Sequence, residues 1–138
     1  MSLFNVFDIS GTGMNAQSVR LNVTASNIAN ADTVAGSPDK AYRARQPVFA
    51  TVLNGIQPGP GIDAGVEVRG IVESQAELPI RYAPDNPYAN EEGYIYESNV
   101  NLVEEMTNMI SASRSYQNNI EVLNTSKTLL LQTLRLGE

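Results

Sequence analysis

Near the C-terminus, apolar residues recur at alternating intervals of four and three: Leu102, Met106, Met109, Ser113, Tyr116, Ile120, Leu123, Lys127, Leu130 and Leu134. Eight of these ten positions are apolar or aromatic, with Ser113 and Lys127 interrupting the run. Such a period returns one face every 3.5 residues and predicts a coiled-coil-type helix. Asn101 followed by Glu104 resembles a capping box, and Glu104 and Glu105 would lie in the first turn, where the helix dipole favours negative charge. Arg135 and Gly137 are stop signals. From 102 to 134 the helix would run roughly 50 Å at 1.5 Å per residue, too long for a small globule to bury.

The N-terminal segment repeats the theme more weakly. Phe7, Met14, Leu21 and Ile28 recur every seven residues, while Ser10, Gln17, Thr24 and Ala31 hold the intervening seam positions. Val19 and Val23 broaden the apolar face. Asn15, Asn22, Asn27 and Asn30 are poor helix formers, and Gly11 and Gly13 are worse. Alone in water this helix is marginal, so packing against something else must stabilise it.

Between the two, the period shortens. Val48 to Leu53 is a β-branched run ending in Asn54-Gly55, a hairpin signal. Gln57 to Gly61 reads as a loop. Gly65 to Glu73 alternates Val66, Val68 and Val72 against Glu67, Arg69 and Glu73, which predicts a half-buried strand with Gly70 marking a bulge. Leu78 to Tyr82 and Tyr94 to Tyr96 are shorter strand candidates.

Proline and charge divide the chain at the same places. All seven prolines lie between Pro38 and Pro87, with seven of the ten glycines between Gly36 and Gly93. Residues 1–31 carry only Asp8 and Arg20, residues 32–98 carry fifteen charged side chains, and residues 99–138 carry seven. Proline breaks helix interiors, so the order is helix, irregular middle, helix. The expected fold class is α+β: long N- and C-terminal helices packed as an antiparallel coiled-coil-like pair, with a small β-rich middle element. Its zones are 1–33, 34–98 and 99–138.

Composition removes several kinds of function. A net charge of −6 and a pI near 4.6 argue against nucleic acid, which needs a basic patch. With no Cys and no His, disulfides, thiol nucleophiles, nearly all zinc sites and the usual general base are gone. No apolar run approaches the ~20 residues of a membrane span. The first eight residues lack a basic segment and contain Asp8, unlike a secretory signal peptide.

Three motifs invite chemistry. Gly11-Thr12-Gly13-Met14-Asn15-Ala16 matches the dinucleotide-binding G-x-G-x-x-A, with Asp32 about twenty residues on. However, residues 24–32 form no second strand, and no alternating βαβ pattern follows. Glu91-Glu92 and Glu104-Glu105 are paired carboxylates, but the first pair reads as a solvated loop, and Glu104 and Glu105, adjacent on a helix, point about 100° apart and do not face one substrate. Asp85-Asn86-Pro87 begins like a calcium loop, with Pro87 at a ligand position.

Leu21-Asn22-Val23-Thr24-Ala25-Ser26-Asn27-Ile28-Ala29-Asn30-Ala31-Asp32-Thr33 resembles the N-terminal signature of the flagellar rod, hook and hook-junction axial proteins. Tyr42-Arg43 resembles the next landmark of that family. Asn99 to Met106, continuing through Ala112-Ser113-Arg114-Ser115-Tyr116-Gln117 to Asn124, is similar to its C-terminal region. The short length, with Asn86-Pro87-Tyr88-Ala89 and Gly93-Tyr94, points to the proximal-rod members. The likeness covers nearly the whole chain.

The resemblance implies a non-enzymatic structural subunit of the basal-body rod. It implies export, without a cleavable signal peptide, through the flagellar type III apparatus, then polymerisation in the periplasm into the drive-shaft that transmits motor torque. Both terminal helices would form the tube wall around the export channel, with the charged middle outside. Partners would be copies of itself, neighbouring rod proteins and the export apparatus. No cofactor, nucleic acid, small-molecule substrate or membrane insertion is expected. The expected assembly interface comprises Phe7, Met14, Leu21, Asn27, Ile28, Asn30, Leu102, Met106, Met109, Tyr116, Ile120, Leu123, Leu130 and Leu134. The alternatives are a cofactor-binding module built on the Gly11-x-Gly13 turn and a non-flagellar coiled-coil adaptor.

Overall fold

In a computed structural model, residues 3–54 and 63–136 are described. The elements run α1 (Leu3–Ala29), β1 (Val34–Ala35), β2 (Arg45–Asn54), β3 (Asp63–Glu73), β4 (Ile80–Tyr82), β5 (Tyr94–Glu97) and α2 (Leu102–Leu136). The fold is α+β, with the two long terminal helices packed on each other and antiparallel strands between them in sequence. The Asn54-Gly55 turn, the Gln57–Gly61 loop and the Gly137 stop fall wholly or partly outside the described residues.

The start of α2 follows from its capping residue. Asn101 Oδ1 accepts from the backbone N–H groups of Val103 at 3.1 Å and Glu104 at 3.3 Å, and its carbonyl accepts from Glu105 N at 2.9 Å. These bonds satisfy donors that a helix leaves open at its N-terminus.

The first helix runs unbroken through Gly11 and Gly13. Their backbone amides therefore lie within a helical ladder, and no loop exists there to cradle a phosphate. This overturns the cofactor reading of the G-x-G motif. The helix ends at Ala29, short of residue 33. Asn30 then turns back, its Nδ2 donating to Ser26 O at 2.8 Å.

Adjacent residues of α1 meet different neighbours. Val66 N of β3 donates to Thr12 Oγ1 at 3.2 Å, while a Cβ on Gly13 would lie 3.0 Å from Asn119 Nδ2 of α2. Successive helical residues point about 100° apart, so α1 packs on the β2–β3 hairpin with one side and on α2 with the next. Its exposed residues are Asp8, Asn15, Asn22 and Ala29, spaced by seven, together with Ala25. The near-absence of charge in α1 follows from this double cover.

The strands form two separate sheets. β2 and β3 make a long antiparallel hairpin whose register shifts between Val48 and Phe49, leaving Arg69 as the extra residue beside Gly70. The bulge is therefore where Gly70 signalled it. The expected half-buried alternation is incomplete, because Val68 is half-buried while Val66 and Val72 are exposed. A two-stranded hairpin covered by one helix cannot bury a whole face. β1, β5 and β4 form a second antiparallel sheet, with Ile95 fully buried. Here Tyr82 and Tyr94 pack edge to face at 5.2 Å. β1 was not among the expected strands, since two residues carry no period.

Candidate assembly surfaces

The contact between the helices is built from small and polar side chains. On α2 the inward stripe is Glu105, Ala112, Asn119 and Ser126, spaced by seven, of which all but Asn119 are buried. On α1 Gly13 faces Asn119 closely, and of its seam neighbours Ser10 and Thr24 are buried and Gln17 half-buried. Arg20 reaches across, its Nη2 donating to Asn108 Oδ1 at 3.1 Å. Small residues let the backbones approach closely, so the weakly apolar seam positions of α1 are where the pairing occurs.

Large apolar side chains therefore split into two sets. Met109, Tyr116, Leu123 and Leu130 are half-buried beside the inward stripe, as are Phe7, Met14, Leu21 and Ile28 on α1. The rest of the expected seam faces outward, with Leu102, Met106, Ile120 and Leu134 exposed. The pairing face of α2 is thus rotated away from the centre of the four–three seam. Further outward residues escaped that period. Val103 is 74% exposed and Ile110 56%, and Leu131 lies on the same heptad row. The seven-residue spacing of Val103 and Ile110, interrupted at Gln117 and Asn124 before Leu131, was the available signal.

The asparagines have a different role from the apolar stripe. Asn27 is fully buried, with Oδ1 accepting from Arg45 N at 2.9 Å and from the Tyr42 hydroxyl at 3.0 Å, while Nδ2 donates to Arg45 O at 2.8 Å. The Tyr42 hydroxyl also bonds Ser26 Oγ at 3.1 Å. Asn99, ahead of α2, bridges the preceding residue to the segment after β3, accepting from Ala44 N at 2.8 Å and donating to Ala76 O at 3.1 Å. Ala44 and Arg45 are thus gripped from both helix ends. Buried amides with every polar atom paired are stable and specific in geometry. Asn27 is placed in this clamp, and half-buried Asn30 in the turn that follows α1.

Between α1, β2 and the start of α2 lies an open cleft of about 260 Å³, lined among others by Arg20, Thr24, Arg45, Phe49, Glu104 and Glu105. No group of three or more His, Cys, Asp or Glu residues that could hold a metal occurs among the described residues, and none of their helices is long and apolar enough to cross a membrane.

A family described as "Flagella basal body rod protein" matches residues 7–36, and one described as "Flagellar basal body rod FlgEFG protein C-terminal" matches residues 91–136. The flagellar basal-body rod protein FlgC of Salmonella typhimurium is 51% identical over 139 aligned positions, with both chains covered in full. The chain belongs to the FlgC family of flagellar basal-body rod proteins. FlgC of Yersinia enterocolitica is 51% identical over 138 positions, again with full coverage. FlgC of Borreliella burgdorferi is 37% identical over 147 positions, covering 97% of each chain. The family matches take in α1 from residue 7 onward, the whole of α2 and the two clamp asparagines, Asn27 and Asn99, while the β2–β3 hairpin lies between them. As an FlgC-family member the chain is a structural subunit of the basal-body rod.

Proposed function

We propose that this chain is a non-enzymatic subunit of the proximal rod, and that it polymerises through the outward faces of its terminal helices. It would join copies of itself and neighbouring rod proteins in a periplasmic shaft that carries motor torque and surrounds the export channel. It would reach that site through the flagellar export apparatus without losing a leader. In this reading zones 1–33 and 99–138 form the tube wall, and 34–98 makes contacts further out.

One observation supports this most. The helix pair uses alanine, serine, glycine and asparagine for its own contact and leaves Val103, Met106, Ile110, Ile120 and Leu134 exposed along α2. Exposed apolar surface of that extent marks a site of association. Of the fourteen interface residues named from sequence, Leu102, Met106, Ile120 and Leu134 are the ones free to meet a neighbour directly. The half-buried ones would hold the helix pair in shape, and Asn27 and Asn30 would set its end.

Basal bodies purified from cells that carry Ile110→Glu as their only copy test the proposal. The variant should leave the monomer folded and abolish its incorporation. Normal rods containing the variant would rule out this face as the assembly surface. A non-flagellar adaptor would instead leave motility intact when the chain is deleted.

A further inference from the structure

We infer that the open aromatic face of the small sheet receives the C-terminal turns of α2 from a second copy of this chain. This deepens the rod-subunit reading and rests on it.

The pairing of β4 with β5 decides which side chains share a face. Ile80 lies opposite Tyr96, Arg81 opposite Ile95 and Tyr82 opposite Tyr94. Cross-strand partners in an antiparallel ladder point the same way, and neighbours along a strand point oppositely. Ile95 is fully buried, so its face is turned inward. Arg81, at the edge of that face, pairs with Glu97 at 2.7 Å. Ile80, Tyr82, Tyr94 and Tyr96 make up the other face. Ile80 is 60% exposed and Tyr82 64%, Tyr94 is exposed beside it, and Tyr96 is half-buried. The solvent side of an antiparallel sheet is ordinarily polar. Here it carries an isoleucine and three tyrosines, and tyrosine is enriched where proteins meet.

Charge indicates what covers this face. Between Glu77 and Glu97 lie five acids, Glu77, Asp85, Glu91, Glu92 and Glu97, against the single base Arg81. Glu77, Asp85, Glu91 and Glu92 are exposed and form no ion pair among the described residues. The face therefore calls for an apolar segment that brings positive charge with it. The end of α2 has that composition. From Lys127 to Leu136 it carries Lys127 and Arg135 and no acid. Every side chain from Leu131 to Leu136 is exposed, the leucines at 131, 134 and 136 included. Those leucines can pack on Ile80 and the tyrosine rings while the cations meet the acidic margin. An arginine over a ring adds a cation–π contact.

One molecule cannot close this contact on itself. Four residues separate β5 from α2, a reach of about 18 Å when extended, so the sheet stays at the N-terminal end of that helix. The helix is unbroken over 35 residues, about 50 Å at 1.5 Å per residue. Its tip and the sheet thus occupy opposite ends of the chain. Two different patches placed this way make a heterologous contact, which repeats from copy to copy as an open helical series.

Photo-crosslinking in assembled rods tests the inference. Cells lacking their own copy would express the chain with p-benzoylphenylalanine in place of Tyr82 or, as the reciprocal probe, in place of Leu134. Both side chains are exposed, so the monomer should keep its wild-type circular dichroism. Purified basal bodies are irradiated, and the products are identified by mass and by peptide sequencing. The probe at position 82 should give a dimer of this chain joined within residues 127–136, and the probe at position 134 a dimer joined within residues 77–97. Arg135→Glu should lower the yield from position 82 at least fivefold, and adding Glu91→Lys with Glu92→Lys should restore it. Cross-links to a different protein or to another segment of this chain overturn the inference. So does the absence of any product from rods that contain the probe, or a yield that Arg135→Glu leaves unchanged. If the wild-type chain is itself missing from basal bodies, the rod-subunit reading fails first.

Discussion

Asn27 holds Arg45 by both ends of its backbone, accepting from its N–H at 2.9 Å and donating to its carbonyl at 2.8 Å. A single side chain thus fixes the last turns of α1 to the first residue of β2. Asn27→Leu keeps the volume but leaves both backbone groups of Arg45 unpaired. At about 1–3 kcal/mol for each orphaned group, the variant should lose most of the chain's stability. Urea unfolding followed by circular dichroism measures this. Asn30→Ala, which removes one partly exposed bond, should cost far less.

The two glycines of α1 should respond oppositely to a larger side chain. Nothing lies within 4 Å of a Cβ built on Gly11, whereas one on Gly13 would lie 3.0 Å from Asn119 Nδ2. Gly11→Ala should raise the unfolding free energy by about 0.5–1 kcal/mol, the helix-interior penalty of glycine. Gly13→Leu should lower it by about 1–3 kcal/mol through overpacking. Equal responses at the two positions would mean that close approach of the helices does not depend on Gly13.

Gly93 sits at φ 82°, and a Cβ there would fall 2.9 Å from Tyr82 Cε2. Left-handed backbone and a crowded ring both oppose any side chain. Gly93→Ala should destabilise the small sheet by roughly 1–3 kcal/mol, visible as lost near-ultraviolet ellipticity from the Tyr82–Tyr94 pair. Unchanged ellipticity and midpoint would refute this.

Charge placed on the outward row of α2 should separate folding from assembly. Val103→Asp and Met106→Glu alter residues 74% and 54% exposed. Changes at such positions usually shift monomer stability by no more than about 0.5 kcal/mol. Motility should nevertheless be lost in cells that carry either variant as the only copy. Swimming at the wild-type rate would contradict the assignment of this row to subunit contacts.

The sequence was most legible where a regular period met a cap. Asn101, the four–three spacing and the alternation at β3 located α2 and the hairpin within a few residues. It was least legible where partners matter. The apolar period of α2 marks surfaces that must be covered, yet it does not say by what, and the helix pair meets along Glu105, Ala112, Asn119 and Ser126 instead. Asn27 looked like a weak helix former because its worth lies in bonds to Arg45, eighteen positions away, which leave no periodic trace. Glu105 read as a simple dipole complement, since burial from the side by α1 cannot be inferred from its neighbours in sequence. The Gly11-x-Gly13 motif misled for a related reason, as glycine serves close helix packing as readily as a phosphate loop.

The double cover of α1 also orders events in time. Its supports are encoded downstream, at 45–73 and 102–136, so the segment synthesised first has nothing to fold against until almost the whole chain is available. Contacts that distant in sequence form late and slowly. The leading end therefore stays pliable through synthesis, and the trailing end decides when the molecule becomes rigid.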